Sequence, residues 1–390
     1  MDRFKLIGLI LLLLLTIGIC LHVALHKHPD NYQVYIHAVE NVLYQNNPYA
    51  TQPGKDFYKY SPLAVLMIYP FSRLIDEVGT FLFVFLQFLV FFWGFWRWAK
   101  IAGFDLGSSR GMMVLAFCSV ILDTILSVQI CQVNALLFGS MLLSAAYYRE
   151  EKYVRAGLLL SLVTNLKLFP FTLALCFLLG LKKKYWLAFW SGLFMWFLLP
   201  AVFLGWGYNL ELLKNWVKLM TWDQTRSLEM LDIGNFVGYH FGISQSIRNP
   251  LALGIGLLIG LGTLYLFRKK QHLLIDRYLV PVNGLYILLF SYLSESATSV
   301  LATTAIFLLA MQAWRAQKHA WFYWISWALA LLLIPWFYSD GVPQAWTLWA
   351  RAFHLKTIGY VLVSLVLGYI FYRHTHGKNL GTKLQAGPAT

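Results

Sequence analysis

Charge is what this sequence has least of. Of its 390 residues, 12% are charged and 59% are hydrophobic. That is about half the charged share of a soluble domain, so a water-exposed globular surface is excluded and a bilayer is the expected solvent. Acids are scarcer than bases, 17 against 31, and the net charge is +14. A single basic domain of that charge would point to nucleic acid. Here the cations instead stand in short clusters between apolar runs, as positive-inside topology produces. Cysteine is also scarce: Cys20, Cys118, Cys131 and Cys176 lie in or beside apolar runs. They form neither a C-x-x-C pair nor a metal spacing with histidine, and no chemistry is assigned to them. There is no G-x-x-x-x-G-K-[ST] loop, no G-x-G-x-x-G after a strand and no soluble catalytic domain. A cytosolic nucleotide-bound donor therefore has no evident place to bind.

What is present is a series of apolar runs. Residues 6–25 are twenty positions without Asp, Glu, Lys or Arg, enough to cross ~30 Å of hydrocarbon as a helix. The run is too long for a signal-peptide core and lacks a small-x-small cleavage site, so an uncleaved first span is expected. Asp2, Arg3 and Lys5 before it favour a cytoplasmic N-terminus. The clusters Arg97/Lys100/Arg110, Arg149/Lys152/Arg155, Lys182 to Lys184, Arg268 to Lys270, Arg315/Lys318 and Arg373 all become cytoplasmic if an even number of spans separates each from the next. Spans are then predicted near 79–97, 111–126, 130–148, 155–181 (a short pair broken at Pro170), 185–204, 250–268, 278–293, 297–314, 320–337 and 356–373. The expected fold is all-α: a polytopic integral membrane protein of roughly 10–12 transmembrane helices, forming one domain over 1–373. Residues 374–390, rich in Gly, Thr and His, read as a disordered cytoplasmic tail.

The segment "SPLAVLMIYPFSRL", 61–74, is apolar but short and carries Pro62 and Pro70. A full crossing there would move Arg97, Lys100 and Arg110 outside, so a juxtamembrane helix at the outer surface is expected. Outer polar material then comprises a first outer loop, 26–78, a turn near 123–134, a second loop, 205–249, a turn near 294–297 and a loop at 338–355. The 205–249 loop mixes charges of both signs with Trp206, Trp216 and Trp222, which suit an interface.

Polar side chains gather in these outer segments. In "HPDNYQVYIHAVENVLYQNNPYA", 28–50, residues Tyr32, Tyr35, Ile36, Val39 and Leu43 recur at helical spacing. Asp30, with Gln33 three residues on, matches a capping box, and a helix cap and a functional carboxylate are compatible readings. Pro48 forbids helical φ/ψ at Asn47, so Asn47-Pro48-Tyr49 is expected to end the helix. Lys59 stands between Tyr58 and Tyr60, where it either snorkels to headgroups or partners a lipid phosphate. Asp123 and Gln132-Val133-Asn134 flank a turn between two spans, where a carboxylate is costly and suspected of function. Asn165 and Lys167 fall in the middle of the broken pair, where a lysine should face a polar cavity or an anion. Glu295 in "SYLSESATS" and Lys356 in "HLKTIGY" stand at outer span ends.

An Asp opening the first outer loop, "YIHA" at 35–38, "NPY" at 47–49, "YKYSPL" at 58–63, "QVN" at 132–134 and "NLKLFP" at 165–170 occur in this order. Together they resemble the polytopic glycosyltransferases of family 87. The resemblance implies a C-type (GT-C) fold and use of a polyprenyl-phosphate-linked sugar, typically mannose, on the extracytoplasmic face. Carried over by position, it implies Asp30 as general base, and Lys59, Gln132, Asn134 and Lys167 as parts of the donor or acceptor pocket. Tyr35, Asn47, Tyr49 and Tyr60 belong to the same motifs, and Asp123, Glu295 and Lys356 complete the expected substrate-binding set. Where many members carry a Trp/His-containing motif in the later outer turn, this chain has "SESATS".

The expected reaction is inverting transfer of a hexose from the polyprenyl phosphate to a glycan or glycolipid acceptor, at the outer side of the plasma (inner) membrane. The partners are the lipid-linked donor, that acceptor and the bilayer, with no nucleic acid. The scheme requires no cofactor; a divalent cation is compatible with it but not called for by any Asp-x-Asp or His cluster. The competing class is a transporter or lipid-linked-sugar flippase, which would also place polar residues at broken helices. Against that class, the two halves show no internal repeat and the polar residues gather on one side.

Overall fold

The computed structural model describes residues 3–27, 29–50, 57–107, 109–222, 232–242, 248–291, 296–316, 320–339 and 342–376. Seventeen α-helices and no strand form among the described residues. The chain opens with α1 (Arg3–His22), extended by a π-helical turn, Val23–Lys27. Two short helices follow, α2 (Asp30–Leu43) and α3 (Pro62–Ser72). Next come α4 (Asp76–Ile101), α5 (Arg110–Gln129), α6 (Asn134–Arg149), α7 (Tyr153–Leu166), α8 (Phe171–Leu178) and α9 (Lys183–Leu204). After them stand α10 (Trp206–Trp222), α11 (Ile233–Phe241), α12 (Arg248–Arg268) and α13 (His272–Phe290). A 3-10 segment, Ser296–Ala302, leads into α14 (Thr303–Arg315), followed by α15 (Ala320–Leu333), α16 (Gln344–Ala352) and α17 (Leu355–His376).

Nine of the described helical stretches are long and apolar enough to cross a membrane, as the all-α polytopic expectation required. The predicted pair over 155–181 is broken as expected, α7 stopping at Leu166 and α8 starting at Phe171 beyond Pro170. The cationic clusters meet at one end of the bundle. There Arg97 pairs with Glu150, Arg149 with Asp276 at 2.8 Å, and Arg315 reaches the Gly103 carbonyl at 3.0 Å. Of the described residues expected outside, Tyr60, Gln132, Asn134 and Lys167 meet at the other end.

Lipid is as apolar as a leucine side chain, so helices in a bilayer associate by close packing rather than by the hydrophobic effect. The centre of this bundle is α6, only 16 residues long and buried along nearly its whole length. It lies between α4 and α7, and α7 in turn packs on α9. Glycine lets it come close. A Cβ at Gly94 of α4 would lie 2.2 Å from the Gly139 carbonyl oxygen, and one at Gly139 would lie 2.6 Å from the Phe91 Cα. Gly284 of α13 does the same for the 3-10 segment, since a Cβ there would sit 2.3 Å from the Leu301 carbonyl oxygen.

Three local expectations differ from the structure. Pro29, extended at φ −63 and ψ 129, is the N-cap of α2, so Asp30 is the first helical residue and no capping box forms. Proline's fixed φ and missing N–H suit this boundary position. The helix ends at Leu43, before Asn47-Pro48, because Gln45 turns out of it at φ 57. Finally, α3 does not merely rest on a surface: Leu63, Ala64, Val65 and Ile68 are buried, and the helix packs against α2, α4 and α9. The expected tail beyond His376 lies outside the described residues.

Replacing Gly139 by leucine is expected to force α4 and α6 apart. The overpacking cost, roughly 1–3 kcal/mol or more, should lower the midpoint of thermal unfolding in detergent. An unchanged midpoint would show that the crossing is not close.

Candidate active site at the α7–α8 break

Four tyrosines of the first outer loop form one wall. The Tyr35 hydroxyl donates to the Tyr60 hydroxyl at 3.0 Å, Tyr49 to the Tyr60 carbonyl at 3.0 Å and Tyr58 to the Ser61 carbonyl at 3.3 Å. Their rings pack edge-on or tilted on one another. Burial pushes the phenols of Tyr35, Tyr49 and Tyr58 well above their usual range, so they remain neutral donors. The loop is tied to α10 at two points: Trp216 Nε1 donates to the Lys59 carbonyl at 3.2 Å and the Tyr208 hydroxyl to the Asn46 carbonyl at 2.6 Å. The Lys59 side chain is half-buried. Asn47 is exposed, and its Oδ1 accepts the Tyr49 N–H at 3.0 Å, which shapes the turn.

Beside this wall the chain leaves α7. Lys167 is extended, at φ −149 and ψ 134, and its ammonium Nζ donates to Asn134 Oδ1 at 3.1 Å. It lies 5.7 Å from the Tyr60 ring centroid and 5.5 Å from that of Phe169, so aromatic faces share its charge. Asn134, the first residue of α6, donates its Nδ2 to Gln132 Oε1 at 2.6 Å and to Thr298 Oγ1 at 3.4 Å. Asn165 Oδ1 accepts from Ser61 Oγ at 2.9 Å, holding the end of α7 to the start of α3. Tyr35, Tyr60, Gln132, Asn134 and Lys167 are thus one connected group drawn from four separate stretches of chain.

A second group is built on the neighbouring residue of the 3-10 segment. Ser299 Oγ donates to Asp123 Oδ1 and accepts from Lys356 Nζ at 3.2 Å. The lysine nitrogen also lies 4.4 Å from the Tyr338 ring centroid. Asp123, Ser299 and Lys356 are all fully buried. A charge pair bridged by a hydroxyl at this depth holds helices together; here it fastens α5, α17 and the segment that presents Thr298 to Asn134.

Asp30 is described in its backbone only. Its neighbour Asn31 donates Nδ2 to the Ile130 carbonyl at 2.8 Å, which fastens the start of α2 to the α5–α6 turn that carries Gln132. Glu295 lies outside the described residues. Sequence reasoning did not single out Thr298, Ser299 or Tyr338, although the hydroxyl-rich run "ATSVLATT" in an apolar stretch was a signal. It also passed over His354, which is buried and lies with its ring centroid 5.2 Å from that of His240. Among the described residues no three His, Cys, Asp or Glu side chains converge as a metal-binding set.

Two outcomes follow. Lys356→Met alone should destabilise by about 3–5 kcal/mol, because it strands a buried carboxylate. The double variant Asp123→Leu/Lys356→Met should recover most of that loss in thermal unfolding, and no recovery would mean the two charges do not interact. His354 titrates below its ordinary value through burial and, next, through His240. Its neutral form therefore supports the fold above the unfolded value near 6.5, and that support is lost as pH falls through and below it. His354→Phe should flatten the decline of the unfolding midpoint between about pH 7 and pH 5, and an unaltered slope would remove His354 from the account.

No curated protein matches this chain. The sequence model of glycosyltransferase family 87 matches residues 57–291, more than half of the 390 residues. The matched stretch contains Lys59, Tyr60, Asp123, Gln132, Asn134 and Lys167, whereas Asp30, Glu295 and Lys356 lie outside it. With the helical bundle and the ordered motifs of its first half, the chain belongs to glycosyltransferase family 87.

Proposed function

We propose that this membrane glycosyltransferase moves a hexose, mannose by family resemblance, from a polyprenyl-phosphate donor to an extracytoplasmic glycan or glycolipid acceptor. The observation that carries the reading is the Lys167 ammonium. It stands at a helix break between Asn134 Oδ1 and the Tyr60 ring, in a bundle whose other cations mostly gather at the opposite end.

Breaking the bond between the anomeric carbon and the phosphate oxygen leaves negative charge on the departing polyprenyl phosphate. A preorganised cation at that oxygen lowers the barrier without reorganising in the step. Lys167 serves this role in the proposal, with Lys59 closer to the loop surface as a second cation. The tyrosine wall supplies neutral hydroxyls suited to a sugar, and the Gln132–Asn134 amides supply further donors and acceptors. Asp30 takes the proton of the acceptor hydroxyl as that oxygen attacks the anomeric carbon from the face opposite the phosphate, with inversion. The Asn31–Ile130 tie supports this role, because it fastens the helix that begins with Asp30 to the turn bearing Gln132. The scheme runs without a metal ion. It assumes a GT-C arrangement, with the site on the outer side of the plasma (inner) membrane, opposite the cationic end.

Purified protein supplied with radiolabelled polyprenyl-phosphate mannose or glucose and a host lipid extract tests the reading. Asp30→Asn is expected to abolish transfer with folding intact, and Lys167→Gln to lower turnover by about 10²–10³, the usual loss for one such charge-stabilising group. Wild-type transfer by Asp30→Asn would sink the base assignment. Vectorial uptake without a new glycosidic bond would sink the donor-transfer scheme itself.

A further inference from the structure

At the cationic end, far from the tyrosine wall, a cavity of about 110 Å³ opens between α13, α14 and α17, beside the turn after α4. Two guanidinium groups flank one ring at its edge: Arg277 Cζ lies 5.0 Å and Arg315 Cζ 4.6 Å from the Phe104 centroid. His374 and Tyr278 also line the space, the His374 Nδ1 lying 2.6 Å from the Tyr278 hydroxyl.

A purely structural reading assigns both arginines to capping α4. Arg277 Nε donates to the Ala102 carbonyl at 3.1 Å and Arg315 Nη2 to the Gly103 carbonyl at 3.0 Å, and cations suit a helix C-terminus. Capping uses one N–H of each guanidinium, which has five; Arg277 also meets the Tyr278 hydroxyl, which carries no formal charge while protonated. It also leaves two like charges on a shared ring, one of them on a side chain only 5% exposed. Buried charge is costly unless an opposite charge meets it, and no lining residue is acidic. Neither of the two carboxylates nearest in sequence lines this cavity. Asp105 Oδ1 accepts the Gly107 N–H at 3.0 Å and borders a separate groove along α1 and α5. Asp276 is bound by Arg149 at 2.8 Å and lines a different cavity. The glycine at the turn completes the shape: Gly103 has φ +84, and a Cβ there would come within 3.2 Å of Arg277 Nη2.

We infer that this cavity is an anion site that takes a phosphate group, held by the forks of Arg277 and Arg315 against Phe104. Guanidinium forks match phosphate oxygens two at a time. The cavity lies at the end of the bundle where the loop lysines and arginines gather. The phosphate therefore comes either from an anionic phospholipid headgroup of that leaflet or from free phosphate, and both present the same oxygens.

The test titrates full-length protein in neutral detergent with phosphatidylglycerol, with phosphatidylcholine and with inorganic phosphate, reading adducts by native mass spectrometry and the unfolding midpoint. Wild type is expected to retain phosphatidylglycerol over phosphatidylcholine if the source is lipid, or to be stabilised by inorganic phosphate alone if it is free. Arg315→Gln, which removes the exposed guanidinium and whose ligand-free unfolding midpoint is read alongside, should weaken whichever binding is seen by roughly tenfold, the worth of one charge-assisted contact. Arg277→Lys, which keeps the charge and loses the fork, should weaken it similarly. Arg373→Gln, on the same end but outside the cavity, should not change it. The inference is overturned if wild type binds none of the three selectively, if Arg315→Gln binds as wild type does, or if Arg373→Gln weakens binding equally, which would mark a diffuse surface attraction.

Discussion

The hydrogen bond from the Lys167 ammonium to the Asn134 amide is the contact on which the polar end of this molecule depends. An apolar solvent offers a cation nothing, so a lysine in a helix break must find its partners within the protein. Asn134 is that partner, and it is placed by α6. The helix is central because Gly94 and Gly139 let α4 approach it to backbone contact, and its first residue is tied to both the α5–α6 turn and the 3-10 segment. Packing in the middle of the bundle thus decides where a charged nitrogen stands at its edge.

From that contact the arrangement spreads in two directions. Toward the first outer loop, Tyr60 carries the lysine's charge on its face and joins three other phenols in a wall of neutral hydroxyls. Toward the later spans, Thr298 continues the amide chain, and its neighbour Ser299 sits between Asp123 and Lys356. The two halves of that serine's hydrogen bonding, donor to the carboxylate and acceptor from the lysine, let opposite charges share the interior without direct contact. Asp123 and Lys356, expected from sequence to bind substrate, stand fully buried in the structure and are joined through Ser299, the neighbour of Thr298.

Much of this was legible from residues alone, because a polar side chain in an apolar run is conspicuous. Gln132, Asn134 and Lys167 were found that way, the break at Pro170 followed from proline, and the helix over 62–72 was read from a short apolar run. What could not be read was partnership. Asp123 and Lys356 belong to opposite ends of the sequence, and nothing in either segment says that a serine joins them. Ser299 and Thr298 were passed over because hydroxyls are ordinary in membrane helices, where they bond their own backbone, as Ser119 and Thr124 do here. The start of α2 was misjudged by one residue because the capping pattern fits Asp30 while proline's geometry claims the position before it.

The double tie between α10 and the first outer loop has a mechanical consequence. Trp216 holds the carbonyl of Lys59 and Tyr208 that of Asn46, so α10 grips the loop just before Tyr49 and again between Tyr58 and Tyr60. The two restraints back each other up: releasing either leaves the other in place. Whatever steadies α10 therefore also steadies the backbone at Asn46 and Lys59, and with Lys59 its neighbours Tyr58 and Tyr60.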